Sequence, residues 1–311
     1  MVKAARLHDH DRPLVVEDVH LPTPGSGEVR VDLAFGGVNP VDSYVARGRV
    51  AADGPMPRIL GGEASGHLNG RPVLVTGAGL GSTRDGVWAG AANVPEAAVV
   101  PLPDGAGLRE AAAMGVAGLT AWQTLQLADV QAMDRVLVLG ASGGVGLTTV
   151  SLAAAMGATV WGQTGSPGKA EAIRRQGADQ VVVTDAAGLA DAVVALSPTV
   201  VIDGLGAGFT SAALSALEPH GRLVLFGTSA GSTSTVELQP LYRKALRVLG
   251  YGGLILSDAE RLAGLREALT ALAEGRMRIP IDRTIPLQRV NDAFRLLTDR
   301  AVSGNIVLDL H

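Results

Sequence analysis

From Val136 to Gly168 the chain carries no charged side chain, and the stretch begins Val136-Leu-Val-Leu-Gly-Ala-Ser-Gly-Gly-Val-Gly146. A run this long and apolar is the simplest signature of a membrane helix. Seven glycines within its first thirty residues argue instead for a buried strand, a turn, a helix and a second strand. A strand that feeds a Gly-rich turn and then a helix has a specific chemical use. Gly143 is expected to permit the tight turn, Gly144 to let the backbone approach a pyrophosphate, and Gly146 to allow close helix–strand packing. The first N–H groups of the helix, at the positive end of its dipole, then face the phosphates. Ala141 stands where G-x-G-x-x-G has its first glycine. Because strand and helix flank the turn, the run reads as a dinucleotide-binding element.

The surrounding pattern agrees. From about Ala111 onward, apolar strands expected at 135–140, 159–162, 180–183, 199–202 and 222–226 alternate with helical segments, which implies a parallel, doubly wound sheet. The first hundred residues read differently. Glu28-Val-Arg-Val-Asp-Leu-Ala-Phe35 alternates, with Val29, Val31, Leu33 and Phe35 expected on one buried face. Further short strands are expected at 72–76, 87–91 and 99–102, as a small antiparallel barrel or sandwich. A helix at 260–274 leaves the parallel sheet. The tail Asn305-Ile-Val-Leu-Asp-Leu310 alternates again and is expected to return to the first domain.

Charge and composition remove other classes. Lys and Arg number 26 against 30 Asp and Glu, a net charge of −4, with no basic run longer than Arg174-Arg175. Nucleic-acid binding, which needs a clustered positive face, is not expected. With no Cys there is no disulfide, thiolate nucleophile or Cys-ligated zinc. The charged stretch Met1–Arg12 has no apolar signal-peptide core, so a soluble, cytoplasmic protein without a membrane segment is expected.

The second strand–helix junction bears on which dinucleotide binds. An NAD site places an acid there for the ribose 2′-hydroxyl. Here the chain reads Trp161-Gly-Gln-Thr-Gly-Ser-Pro-Gly-Lys169, with no acid before Glu171. Ser166 and Lys169 offer a hydroxyl and an ammonium suited to a 2′-phosphate. The alternative makes Lys169 an ordinary solvated lysine at a helix start.

Seven segments, in order and at fitting spacing, carry a resemblance over nearly the whole chain. They are Gly37-Val-Asn39-Pro-Val-Asp42-Ser-Tyr44-Val-Ala-Arg47-Gly48, Ile59-Leu-Gly-Gly-Glu-Ala-Ser-Gly66, Gly118-Leu-Thr120-Ala-Trp122, Ala141-Ser-Gly-Gly-Val-Gly146, Asp203-Gly-Leu-Gly206, Gly221–Gly227 and Arg300–Leu308. The chain resembles the zinc-independent, zeta-crystallin-like quinone oxidoreductases of the medium-chain dehydrogenase/reductase superfamily. The resemblance implies a Rossmann domain at 113–253 and a discontinuous, β-rich GroES-like catalytic domain at 1–112 and 254–311. Zinc-dependent relatives place Cys and His ligands where this chain has Asn39 and Gly62, so no catalytic metal is expected.

By the same resemblance, Asn39, Pro40, Asp42 and Tyr44 line the nicotinamide end of the cleft, with Tyr44, Asn39 and Asp42 as catalytic candidates. Thr120 approaches the nicotinamide ribose, and Ser142, Gly143, Gly144 and Val145 hold the pyrophosphate. Phe226, Gly227 and Thr228 border the nicotinamide. Gly165, Ser166, Lys169 and Arg300 form the 2′-phosphate subsite, although the family's tyrosine near Thr184 is absent. Plain readings stand beside these. Asn39 before Pro40 is a turn residue, Asp42 and Arg47 an ion pair, and Tyr44 a packing residue on a loop.

The implied activity is NADPH-dependent reduction of quinones or α,β-unsaturated carbonyls. The alternatives are enoyl reduction on carrier- or CoA-linked substrates, with Arg47, Arg49, Arg58 and Arg71 at the cleft mouth, and a non-catalytic NADPH-binding protein. The chain is shortened after Gly66, where the family has a longer segment. A homodimer is expected, through strands at Ser234–Pro240 and Arg247–Tyr251.

Overall fold

The structure is a computed structural model describing residues 1–311, which divide into two compact units. Unit 1 comprises Met1–Gly118, Ser257–Glu274 and Ile279–His311, and unit 2 comprises Leu119–Leu256 and Gly275–Arg278. Unit 1 begins with β1 (Val2–Leu7), β2 (Val15–Val19), β3 (Glu28–Val38), α1 (Pro40–Ala46) and β4 (Arg58–Ile59). It continues through β5 (Glu63–Leu68), β6 (Arg71–Thr76), β7 (Ala91–Pro95), β8 (Val99–Pro101) and α2 (Leu108–Ala111).

β3 buries Val31 and Leu33 as its alternation requires. A bulge against β5 between Leu33 and Phe35 then shifts the register, so Phe35 leaves the buried row and is only half-buried. The strand expected at 87–91 does not form. Val87 and Trp88 donate backbone N–H bonds to Gly61 and Leu60 at single points, and ladder pairing starts only at Ala91. The shortened segment after Gly66 is a tight hairpin. Asn69 and Gly70, at φ +52° and +77°, turn β5 directly into β6, the two-residue geometry that Asn-Gly favours.

Unit 2 contains α3 (Leu119–Leu127), β9 (Arg135–Leu139), α4 (Gly144–Ala155), β10 (Thr159–Thr164), α5 (Ala170–Arg174) and β11 (Gln180–Val183). There follow α6 (Leu189–Ala192), β12 (Val200–Asp203), α7 (Ala207–Ala216), β13 (Arg222–Leu225), α8 (Leu238–Arg243) and β14 (Arg247–Gly250). The six strands are parallel in the order β11-β10-β9-β12-β13-β14. Counted within this unit the order is 3-2-1-4-5-6, that of the Rossmann fold, and its direction reverses between β9 and β12. The uncharged run from Val136 is thus the central strand, its turn, the first helix and the neighbouring strand. No helix is long and apolar enough to cross a membrane. Ser234–Pro240 is not a strand. Its end opens α8, whose third residue is Pro240, with no N–H to give a ladder.

The chain then re-enters unit 1 with α9 (Asp258–Ala273), β15 (Ile281–Pro286), α10 (Val290–Thr298) and β16 (Asn305–Asp309). The tail strand β16 pairs antiparallel with β3, so the β-rich unit is discontinuous. β15 lies parallel to β16, which makes this seven-stranded sheet mixed rather than purely antiparallel.

The turn after β9 relocates one glycine requirement. Gly140 takes φ +64°, whereas Gly143 sits at φ −81°, ψ 173°, open to any residue. A Cβ on Gly146 would stand 2.5 Å from the Gly140 carbonyl oxygen and 2.7 Å from Ala141 Cα, whereas one on Gly143 would find nothing nearer than 3.7 Å. Gly146→Ala is therefore expected to lose about 1–3 kcal/mol, and Gly143→Ala to melt like the parent. Thermal unfolding of the two variants checks the contrast, and equal melting temperatures would contradict it.

Candidate functional site

In unit 1 the site grows from the end of β3. Asn39 leaves the strand in extended conformation (φ −123°, ψ 159°) and caps α1, with Pro40 in the first helical turn, where its missing N–H costs nothing. Asp42, at the third helical position, accepts the Asn39 backbone N–H at 2.7 Å. Asn39 and Asp42 are buried, while Tyr44 on the same helix is 40% exposed. The motif expected as a loop is thus a helix. The ion pair considered for Asp42 does not form, because its carboxylate turns to backbone N–H groups and Arg47 points to Thr298.

The sequence reading missed the third member of this cluster. Glu63, the first residue of β5, is fully buried, and its Oε1 accepts Asn39 Nδ2 at 2.5 Å. Its Oε2 accepts the Val116 backbone N–H at 3.0 Å. Burial pushes the Glu63 carboxyl up to about 8, against the Asn39 amide and helped by the charge of Asp42. Burial likewise lifts Asp42 to about 7, against the N–H groups of Asn39 and Gly62. A charged residue inside the apolar Ile59–Gly66 motif was the available signal.

Arg58, expected at a cleft mouth, is fully buried and donates to the Pro55 and Ala51 carbonyls, whereas Arg47, Arg49 and Arg71 are exposed. No group of three or more His, Asp or Glu side chains is arranged to hold a metal ion.

In unit 2 the candidates collect at the carboxyl ends of the parallel strands. Ser142, Gly143, Gly144 and Val145 follow β9, Gly165, Ser166 and Lys169 follow β10, and Phe226, Gly227 and Thr228 follow β13. Gln163 braces the Gly-rich turn, accepting the Gly140 N–H at 3.1 Å while donating to the Thr184 carbonyl at 2.7 Å. Thr164 donates to Ser142 Oγ at 3.4 Å and accepts the Ser166 N–H at 3.2 Å, so the two turns share one hydroxyl.

Ser166 opens a single helical turn, Pro167–Lys169, that leads into α5. Glu171, the first acid, pairs with Arg174 at 3.7 Å. The half-buried Phe226 ring lies against Gly204, where a Cβ would stand 2.6 Å from it. Thr120 shares a side-chain hydrogen bond with Tyr251, which follows β14 and whose phenol burial pushes up. Arg300 belongs to unit 1, following α10 at φ +50°.

A Gly-rich turn at the reversal point of a 3-2-1-4-5-6 sheet is a dinucleotide site. The zinc-binding dehydrogenase family matches residues 144–267. A quinone oxidoreductase of Pseudomonas aeruginosa is 30% identical over 324 residues, covering 99% of this chain and 99% of that protein. The chain belongs to the zeta-crystallin-like quinone oxidoreductase family of the medium-chain dehydrogenase/reductase superfamily. As a member of this family it is an NAD(P)-dependent oxidoreductase.

The quinone oxidoreductase of Thermus thermophilus, solved also with NADPH, superposes with a TM-score of 0.85 at 29% identity, over 99% of this chain and 100% of that one. A phthiocerol polyketide synthase subunit of Mycobacterium tuberculosis is 29% identical over 317 residues, 96% of this chain but 14% of that protein. The Asn39 amide nitrogen donates to Glu63, and Gly62 has no side chain.

The carboxyl pair has a consequence for stability. Both groups titrate near 4 when unfolded and higher when folded, so between about pH 4 and 8 the folded chain binds more protons. Their contribution is full below pH 4 and falls as pH rises through 7 and 8. The melting temperature is expected to decline from pH 6 to pH 8.5, and Glu63→Gln, which cannot titrate, to flatten that decline. A variant with the parent's pH slope would contradict the assignment.

Proposed function

We propose that the chain is a metal-independent, NADPH-dependent reductase of quinones or α,β-unsaturated carbonyl compounds. One observation carries the reading. The turn after β10 presents Ser166 and Lys169 with no carboxylate between Gln163 and Ala170, and Glu171 is already paired with Arg174. A 2′-phosphate there meets a hydroxyl and a cation, with no carboxylate in the turn itself.

When bound, the reduced nicotinamide supplies a hydride to an electron-poor carbon of the substrate. The chain does the rest. The N–H groups at the start of α4, with Ser142, Gly143, Gly144 and Val145, hold the pyrophosphate, and Thr120 orients the nicotinamide ribose. Phe226, Gly227 and Thr228 border the ring. Tyr44, 40% exposed, donates its phenol O–H to the substrate oxygen as negative charge grows on it. Asn39 is the second polar contact, set beside Pro40 and Asp42 at the head of α1. In this reading zinc has no part, because the positions of the relatives' Cys and His ligands hold an amide, a poor zinc ligand, and a glycine.

A second reading, reduction of carrier-linked enoyl groups, is favoured by the similarity to the polyketide synthase subunit. Assaying both substrate types against one enzyme separates them. We also propose that the protein is a homodimer. The edge strand β14 leaves Val248 exposed, and Leu238, Tyr242, Leu254 and Ile255 nearby in the sequence are exposed as well. Light scattering is expected to give twice the chain mass of 31.7 kDa, and a single chain mass at micromolar concentration would refute this.

The main test is kinetic. Chelator-treated enzyme is expected to oxidise NADPH with a small quinone or enone, preferring it to NADH by about 10- to 1000-fold. Lys169→Ala should raise the KM for NADPH several-fold and leave that for NADH nearly unchanged, and added salt should shrink the preference. Equal weakening of both cofactors would show that Lys169 serves the fold instead.

A further inference from the structure

Glu63 has no part in the mechanism above, yet it is the one carboxyl group of unit 1 with no solvent exposure. Its surroundings are built around it. Gly37 on β3 and Gly115 in the turn Met114–Gly118 face the carboxylate from two sides. A Cβ on Gly37 would collide with Oε1, and one on Gly115 would stand 2.7 Å from Oε2. Within this sleeve each oxygen has a named donor, Asn39 Nδ2 at 2.5 Å and the Val116 N–H at 3.0 Å.

An amide donates at one end and accepts at the other, so it can bond a carboxyl group in either protonation state. Here Nδ2 is taken by Glu63 Oε1, while the side chain and backbone of Asn39 also close a capping box with Asp42. The contact with Glu63 therefore holds the Asn39 side chain in one rotamer and fixes where its amide lies.

We infer that Glu63 is a positioning residue, which holds the side chain of Asn39 in one rotamer and so sets where its amide meets the substrate. This rests on the reading of Asn39 as substrate-facing. Its consequence is a dependence of Glu63 on Asn39. Freed from Glu63, the amide samples several rotamers. Misplacement of a contact by about 1 Å can cost about a hundredfold in rate.

The test is a double-mutant cycle on NADPH oxidation with a quinone, comparing the parent with Asn39→Ala, Glu63→Ala and the double variant. Glu63→Ala is expected to lower kcat by about 10- to 100-fold with the KM for NADPH within twofold. The double variant should be no slower than Asn39→Ala alone, because Glu63 acts only through that amide. Glu63→Gln keeps the volume and covers the case in which Glu63→Ala does not fold. Its smaller loss should likewise vanish when Asn39 is alanine. Losses that multiply in the double variant, or a fully active Glu63→Ala beside an impaired Asn39→Ala, would overturn the inference alone. Full activity of Asn39→Ala would overturn the reading of Asn39, and the inference with it.

Discussion

Two large side chains fill space in unit 1 that only glycine leaves open. Trp88 is fully buried, with a Cβ on Gly36 excluded at 2.7 Å and Gly61 closed to one as well. Glu63 occupies the matching space beside Gly37 and Gly115. Successive residues of a strand face opposite sides, so Gly36 and Gly37 open β3 toward the indole on one side and the carboxylate on the other. Burial of an indole is worth about 4–6 kcal/mol, and its Nε1 donates to the Gly37 carbonyl at 3.0 Å. The apolar core and the polar cluster are thus anchored on adjacent residues of the strand that also pairs with β16, β5 and β7.

Unit 2 is organised by the complementary device, an unfilled electrostatic position. α9 begins with Asp258 and Glu260, and α1 carries Asp42 in its first turn. α4 has no acid in its first turn and no side-chain cap. Its N–H groups and dipole have no carboxylate of their own first turn beside them, as the proposed pyrophosphate contact requires. In the proposed binding mode the short turn of Gly143 and Gly144 lets the pyrophosphate approach, while Gly146 draws the helix against Gly140 and Ala141. Gln163 and Thr164 hold the turn from the neighbouring strand by hydrogen bonds to Gly140 and Ser142.

The parallel sheet was legible because its strands are apolar on both faces and its helices follow at regular spacing. In the β-rich unit the alternation of Val31 and Leu33 was read correctly, but the bulge that displaces Phe35 has no residue signature. Nor has the irregular path of Val87 and Trp88, whose apolar character serves burial equally well without a ladder. The Asn69-Gly70 hairpin did carry a signal, which the comparison of lengths after Gly66 obscured. Sequence reasoning found Asn39 and Asp42 through a motif but not Glu63, because their association is made by β3 and β5 lying side by side. Arg58 shows the reverse error. A basic residue looks solvated on paper, whereas here its guanidinium is buried and donates to the Pro55 and Ala51 carbonyls.

The polar cluster also sets conditions on the residue at its head. Two carboxyl groups share one interior region with no cation beside them, a costly arrangement if both are ionised. The partners supplied are neutral: the Asn39 amide, and backbone N–H groups of Asn39 and Gly62 around Asp42 and of Gly115 and Val116 around Glu63. Neutral donors satisfy the lone pairs without cancelling the charge, so burial wins and both groups titrate near neutrality. A residue at position 39 must then donate to Glu63 from a short side chain, start a helix before Pro40 and remain uncharged. Asparagine meets all three conditions. Aspartate would add a third carboxylate, and serine is too short to span the same distance from this backbone position.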